Sequence, residues 1–252
     1  MFNHLKLDSL TREEVTNIAS EAMIVLPVGA IEQHGPHLPL CTDAVFAEEI
    51  ALRSCAAVQD SFRAVVAPVL SYGNSHHHFP MPALSLTSEA MTIVLKDLLR
   101  SMVTTGFKHI AILNSHGGND EAIRMATRDI ARECQVNIAA TSYWTVAWEA
   151  LRNECQATQL GRVPGHAGGF ETSLMLHLRP ELVRLNSFPP HRHDEIPTEE
   201  MSRRMFIQRP NNSVGVNGIS DDSRHASKEK GAEILPVIIR EVARAFRQFM
   251  GK

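Results

Sequence analysis

The 252-residue chain has a formal net charge of -3, with 44% apolar and 21% charged residues. That composition gives a folded chain with a sizeable core rather than a disordered one, and the lack of any run of Lys and Arg argues against a nucleic-acid partner held through phosphates. No window reaches the ~18 uninterrupted apolar residues of a membrane span, and MFNHLKLDSLTREEV has no cationic segment leading into an apolar one, so a cytoplasmic protein with no membrane partner is expected.

The first element in chain order is MIVLPVG (23–29), a continuous apolar run that reads as a strand buried on both faces. RAVVAPVL (63–70), FKHIAILN (107–114) and VNIAATSYW (136–144) have the same character. Between them, 43–56, 88–105 and 119–133 have helical spacing and open on capping-type residues. Two later helices are expected over 171–178 and 226–249. Strand followed by helix, repeated, predicts an α/β fold with a mainly parallel sheet covered on both faces, one domain over 1–252. The stretch 186–222 is rich in Pro, Gly, Asn and charge, and is too long for a simple connection. Cys41, Cys55, Cys134 and Cys155 have no CxxC spacing and read as free thiols.

In a parallel sheet the ligand site lies beyond the carboxyl ends of the strands. After the first strand come Glu32, His34, His37 and Asp43, and after the second His76, His77 and His78. His116, Gly117, Gly118 and Asn119 follow the third, Trp144 and Trp148 the fourth, and His166 and Glu171 stand at the start of a late helix. Imidazoles and carboxylates without thiolates are the donor set of a hard-to-intermediate divalent cation. Glu32 and His34, two apart, share one side of an extended segment. Asp43 has two oxygens and could bridge two cations, with His116 arriving from the third strand. Glu32, His34, Asp43, His116 and Glu171 make five ligands, which suits two cations better than one.

Each residue also has a plainer reading. Asp43 can cap a helix, His116 can be a loop histidine, and Gly117-Gly118 can cradle an anion on backbone amides. Of the three consecutive histidines, one functional residue with two neighbours is expected, and His177 reads as structural. Trp144 and Trp148 would share a helix face, as core or as substrate wall.

EQHGPHLPLCTD, NSHGGN and GHAGGFETS resemble the three signature segments of the creatininase, or creatinine amidohydrolase-like, family. FPMPALSLTSE and GVNGISDDSRHASKEKGAEIL resemble its later blocks. The resemblance implies a three-layer α/β/α sandwich, two divalent metal ions (zinc, manganese or iron) and a hexamer. By position it makes Glu32 and His116 ligands of one cation, His34 a ligand of the other, Asp43 the bridge and His166 the acid/base histidine. Creatininase proper has Tyr-Glu where this chain has Gly117-Gly118, so one ligand is missing, and Glu171 is its nearest substitute.

The function this implies is hydrolysis of a small cyclic amide or related carbonyl compound by hydroxide generated between two cations. His166 and Glu171 would be catalytic, and His78, Trp144, Gly117, Gly118 and Asn119 would bind substrate. Alternatives are a metallopeptidase acting on short peptides, hydrolysis of a lactone or cyclic diketone, or a non-catalytic metal-dependent binding protein.

Overall fold

The computed structural model describes residues 2–188 and 216–252. His191, His193 and most of the 186–222 excursion lie outside them. Four strands, β1 (Met23–Val28), β2 (Ala64–Val66), β3 (His109–Asn114) and β4 (Asn137–Ser142), form one parallel sheet in the order β2-β1-β3-β4. Val28 pairs with Asn114, and Asn114 with Ser142, so the carboxyl ends of β1, β3 and β4 are level. The connection from β1 runs to one side of the sheet and β3 lies on the other. The β1/β3 boundary is therefore the topological switch point, where loops part and leave a crevice.

The helices are α1 (Arg12–Ile18), α2 (Thr42–Ala56), α3 (Ser88–Thr105), α4 (Asp120–Cys134), α5 (Tyr143–Asn153), α6 (Gly169–Leu178) and α7 (Lys228–Phe249). Alternate strand residues serve the two faces. Met23, Val25, Ala111 and Leu113 pack in one core with α2, α5, α6 and α7. Ile24, Leu26, Ile110 and Ile112 pack in the other with α3 and α4. All six residues of β1 are buried, which is why it reads as a continuous apolar run. The α/β/α layering expected from the sequence is thus observed.

The second strand is shorter than expected. Pro68 has no N–H to offer, so regular pairing stops at Val66, although the chain keeps its course: Ala67 N donates to Val25 O at 2.8 Å and Leu70 N to Pro27 O at 2.9 Å. The fourth strand ends at Ser142 rather than residue 144, because Tyr143 already begins α5. Helix α1, not expected, is held by a capping box between Thr11 and Glu14.

Helices α6 and α7 meet backbone to backbone. A Cβ on Gly231 would stand 2.0 Å from the Ser173 carbonyl oxygen. Gly231→Ala should therefore force the pair apart at a cost of about 1–3 kcal/mol, and thermal unfolding should show a lowered Tm. An unchanged Tm would mean that α7 shifts freely.

Candidate metal centre

Asp43 reaches the rim because α2 starts hard against the end of β1. A Cβ at Gly29 would lie 2.8 Å from the backbone of Ala44, so only glycine permits this approach. The carboxylate is inside the first turn and makes no capping bond; Cys41 is the N-cap. The helix-cap reading of Asp43 therefore gives way. Glu32 and His34 lie on an extended stretch, with Glu32 bridged to Ala83 and His34 to Leu38, and they share a side as their spacing implies. His116 follows β3, and Glu171 is in the first turn of α6.

These five side chains converge. Asp43 Oδ1 is 3.4 Å from His34 Nε2, while Asp43 Oδ2 is 3.2 Å from His116 Nδ1. Glu32 Oε1 is also 3.2 Å from His116 Nδ1, and Glu171 Oε2 is 3.9 Å from His34 Nε2. Donor atoms of His34, Asp43 and Glu171 all lie within 4.8 Å of one another. All five residues are at most 5% exposed. Yet Glu32 Oε1 and Oε2, His34 Nε2 and Asp43 Oδ2 form no hydrogen bond: they are close but not aligned as donor and acceptor. Buried polar atoms left this way are costly.

The far sides of the two imidazoles explain the arrangement. His34 Nδ1 contacts the Glu32 carbonyl at 3.1 Å, and His116 Nε2 contacts the Asn74 carbonyl at 2.9 Å. Carbonyl oxygens only accept, so those nitrogens carry the protons, and the neutral rings turn lone pairs toward the acids. A lone pair facing a carboxylate at 3.2–3.4 Å needs positive charge between them. Ligands ~2.1 Å from a tetrahedral cation are ~3.4 Å apart, so the donor set fits a divalent cation beside Asp43.

With protein charges alone, protons supply that charge. Burial opposes ionisation of His34, but Asp43, Glu171 and Glu32 raise it to about 10. Burial likewise opposes a charge on His116, and Glu32 and Asp43 carry it well above the usual range. Burial pushes Glu171 up to about 8, with Asp43 adding to the push and His34 opposing it. A cation must displace these protons. Titrating zinc or manganese into chelator-treated protein at pH 7 in weak buffer should release roughly two to three protons per chain, and binding should tighten as pH rises. Uptake without proton release would show that the imidazoles were already neutral.

The adjoining cavity, about 210 Å³, is lined among the described residues by His77, Gly117, Gly118, Trp144, Pro164 and His166 above the acids. Trp144, Gly117 and Gly118 are thus on the cavity wall. His78 and Asn119 are not. His78 is fully buried behind Glu32, with Nε2 3.1 Å from Glu32 Oε1. Asn119 is also fully buried, donating to Gly29 O and Asn114 Oδ1 and accepting from Asn74 N, so its amide ties loops together. His37 pairs through Nε2 with Thr172 Oγ1 at 2.8 Å and links the β1 loop to α6.

His77, one of the histidine triplet, lies closer to the centre than expected: its ring is stacked on His116, and donors of Glu32, His77 and His116 fall within 4.8 Å. A Cβ at Gly118 would be 2.2 Å from the Asn74 oxygen, so no acid can stand there on this backbone.

His166 is held by a residue absent from the sequence-based site. Its Nε2 is 2.8 Å from the Gln33 main-chain oxygen, and its Nδ1 is 3.6 Å from Glu32 Oε1. The Gln33 side chain has a fixed orientation, because Gly35 N donates to its Oε1 at 3.0 Å. Its Nε2 therefore donates to His78 Nδ1 at 2.8 Å; its 2.9 Å approach to His166 Nε2 brings two N–H groups together, so the ring is held by the Gln33 main-chain oxygen and not by the amide. Burial, reinforced by charge on His34, holds His166 well below its usual value, which keeps the ring neutral.

A parallel sheet that gathers acids and imidazoles at its switch point is the build of a metal-dependent α/β enzyme. The chain belongs to the creatininase family: the family model, described as creatinine amidohydrolase, matches residues 8–246. It is 29% identical over 245 residues to creatinine amidohydrolase of Pseudomonas putida, covering 91% of this chain and 90% of the relative. It is equally 29% identical over 235 residues to the mycofactocin precursor peptide peptidase of Mycobacterium tuberculosis, covering 90% and 85%. Solved creatininases superpose with a TM-score of 0.80. A manganese form is 28% identical, covering 97% of this chain and 98% of its own; a variant of the zinc–zinc type is 27% identical, covering 97% of each.

Proposed function

We propose that this protein is a metal-dependent hydrolase of a small cyclic amide or a related carbonyl compound. The observation that carries the reading is Asp43, whose two oxygens face two different imidazoles while buried donors around it lack hydrogen bonds. Glu32, Asp43 and His116 would hold one divalent cation, and His34, Asp43 and Glu171 the other. Such a pair, when bound, lowers the pKa of water and polarises a carbonyl oxygen.

The chain's own residues supply the remainder. With Nε2–H on the Gln33 carbonyl, the Nδ1 lone pair of His166 faces the cavity, where it can take a proton from water and pass it to the leaving nitrogen or oxygen. Trp144, His77 and Pro164 orient the substrate and keep bulk water from its flanks. The cavity volume of about 210 Å³ is below the ~300–1,000 Å³ of drug-sized sites, which favours a small ring over a peptide. The similarity to a peptide peptidase supports a second reading, cleavage of a short peptide. By resemblance the assembly is a hexamer, which sedimentation tests.

The test is elemental analysis of the purified chain, followed by a screen of cyclic amides, imides, lactones, N-formyl compounds and short peptides, with and without chelator. About two metal equivalents and a chelator-sensitive hydrolysis of a small ring are expected. Metal-independent turnover, or no metal after incubation with zinc, manganese or iron, would refute the proposal.

A further inference from the structure

The block GVNGISDDSRHASKEKGAEIL is not used by the metal centre, yet its residues Gly218–Asp221 pack against the segment after β1 and the loop that carries His166. A Cβ on Gly35 would lie 2.6 Å from Ile219 Cγ2, and one on Gly218 would lie 1.9 Å from Gln33 Oε1. On the other side, Ser220 grips His166 by its main chain: Ser220 N donates to His166 O at 2.9 Å, and His166 N donates to Ser220 Oγ at 2.7 Å. That hydroxyl donates in turn to Asp221 Oδ2 at 3.0 Å.

Asp221 then closes the loop around itself. Its Oδ2 also accepts from Arg162 N at 3.0 Å, and its Oδ1 accepts from Gly169 N at 3.2 Å. These are the two ends of the loop that carries His166. Cβ atoms on Gly161, Gly165 and Gly168 would fall 2.5, 2.9 and 1.7 Å from the carboxylate. Three glycines within eight positions are thus explained by one side chain: the loop is collapsed onto a carboxylate that side chains would displace.

We propose that Asp221, through Ser220, is the positioning residue that fixes His166 against the cavity. The inference rests on the proton-transfer role given to His166 above. The carboxylate touches neither the cavity nor the metal donors. It acts by stopping the loop from opening, and a displacement of about 1 Å in a catalytic group can cost ~10²-fold in rate.

The test compares full-length Asp221→Ala, Asp221→Glu and Ser220→Ala with the wild type. Diethyl pyrocarbonate modification of His166, read by peptide mass spectrometry against the exposed His76, reports its placement without any substrate. Modification of His166 should be ~3–10-fold faster in Asp221→Ala and Ser220→Ala, with metal content as in the wild type. On whichever compound the screen identifies, kcat should fall ~10²-fold in Asp221→Ala with KM within ~3-fold. Asp221→Glu should not restore either, since its longer arm would meet the three glycines. An unchanged His166 rate in Ser220→Ala and Asp221→Ala would overturn the proposal, as would loss of metal alongside His166 reactivity. If Asp221→Ala does not fold, Ser220→Ala, which keeps the carboxylate, decides alone. If the wild type hydrolyses nothing, the functional proposal falls, and the modification rates still decide whether Asp221 positions His166.

Discussion

Asp43→Ala, purified without added metal, is expected to hold almost none of the metal carried by the wild type, and its hydrolysis should fall to background. The reason is geometric: in the proposed site one carboxylate would serve both half-sites, with Oδ1 at 3.4 Å from His34 and Oδ2 at 3.2 Å from His116. Apparent binding energies of roughly 10–16 kcal/mol shared among about four ligands amount to ~3 kcal/mol per ligand, or about two orders of magnitude in affinity at each half-site. Asp43→Asn separates the two: its single carbonyl oxygen can serve only one half-site, so about half of the metal should remain. Both variants should fold, because the apolar core is untouched and His34 and His116 can give up their protons once the Asp43 charge is gone. Full metal content in Asp43→Ala would show that Asp43 is not a bridge.

The second large effect is expected from His166→Ala. It should lower kcat ~10²–10⁴-fold while metal content stays at the wild-type level. His166 Nδ1 is 3.6 Å from Glu32 Oε1, and its other nitrogen is committed to Gln33, so the ring faces the cavity from outside the pair of half-sites. Elemental analysis and steady-state kinetics on one preparation provide the check. If metal were lost together with activity, His166 would be a ligand, as the grouping of Glu32, His34 and His166 donors within 4.8 Å also allows.

The convergence of the five acid and imidazole side chains was legible in the sequence because each follows a strand or opens a helix, and a parallel sheet sends all such positions to one rim. Direction was not legible. His78 and Asn119 occupy strand-end loops just as His116 does, yet the first lies behind Glu32 and the second turns its amide to backbone groups. Nothing local distinguishes an inward loop residue from an outward one. Gln33 and Asp221 escaped notice for a different reason: the contacts that tie them to His166 and to the ends of its loop span 133, 52 and 59 residues, and no periodicity marks such pairs. Strand β2 was overextended because Val69 and Leu70 continue the apolar run past Pro68, which interrupts regular pairing. Helix α1 was missed because it has seven residues and buries only Ile18, too little to leave a periodic stripe.

Gly117 and Gly118 are chain neighbours on the same cavity wall, with opposite surroundings: open space at the first, the Asn74 carbonyl at the second. A Cβ at the first displaces nothing, whereas one at the second requires the segment around Asn74 to move. The cavity wall can therefore be reshaped at residue 117 without moving the backbone beside it. An acid at residue 118 requires coordinated change in the segment around Asn74, which separates the two forms of the site by a valley rather than a slope.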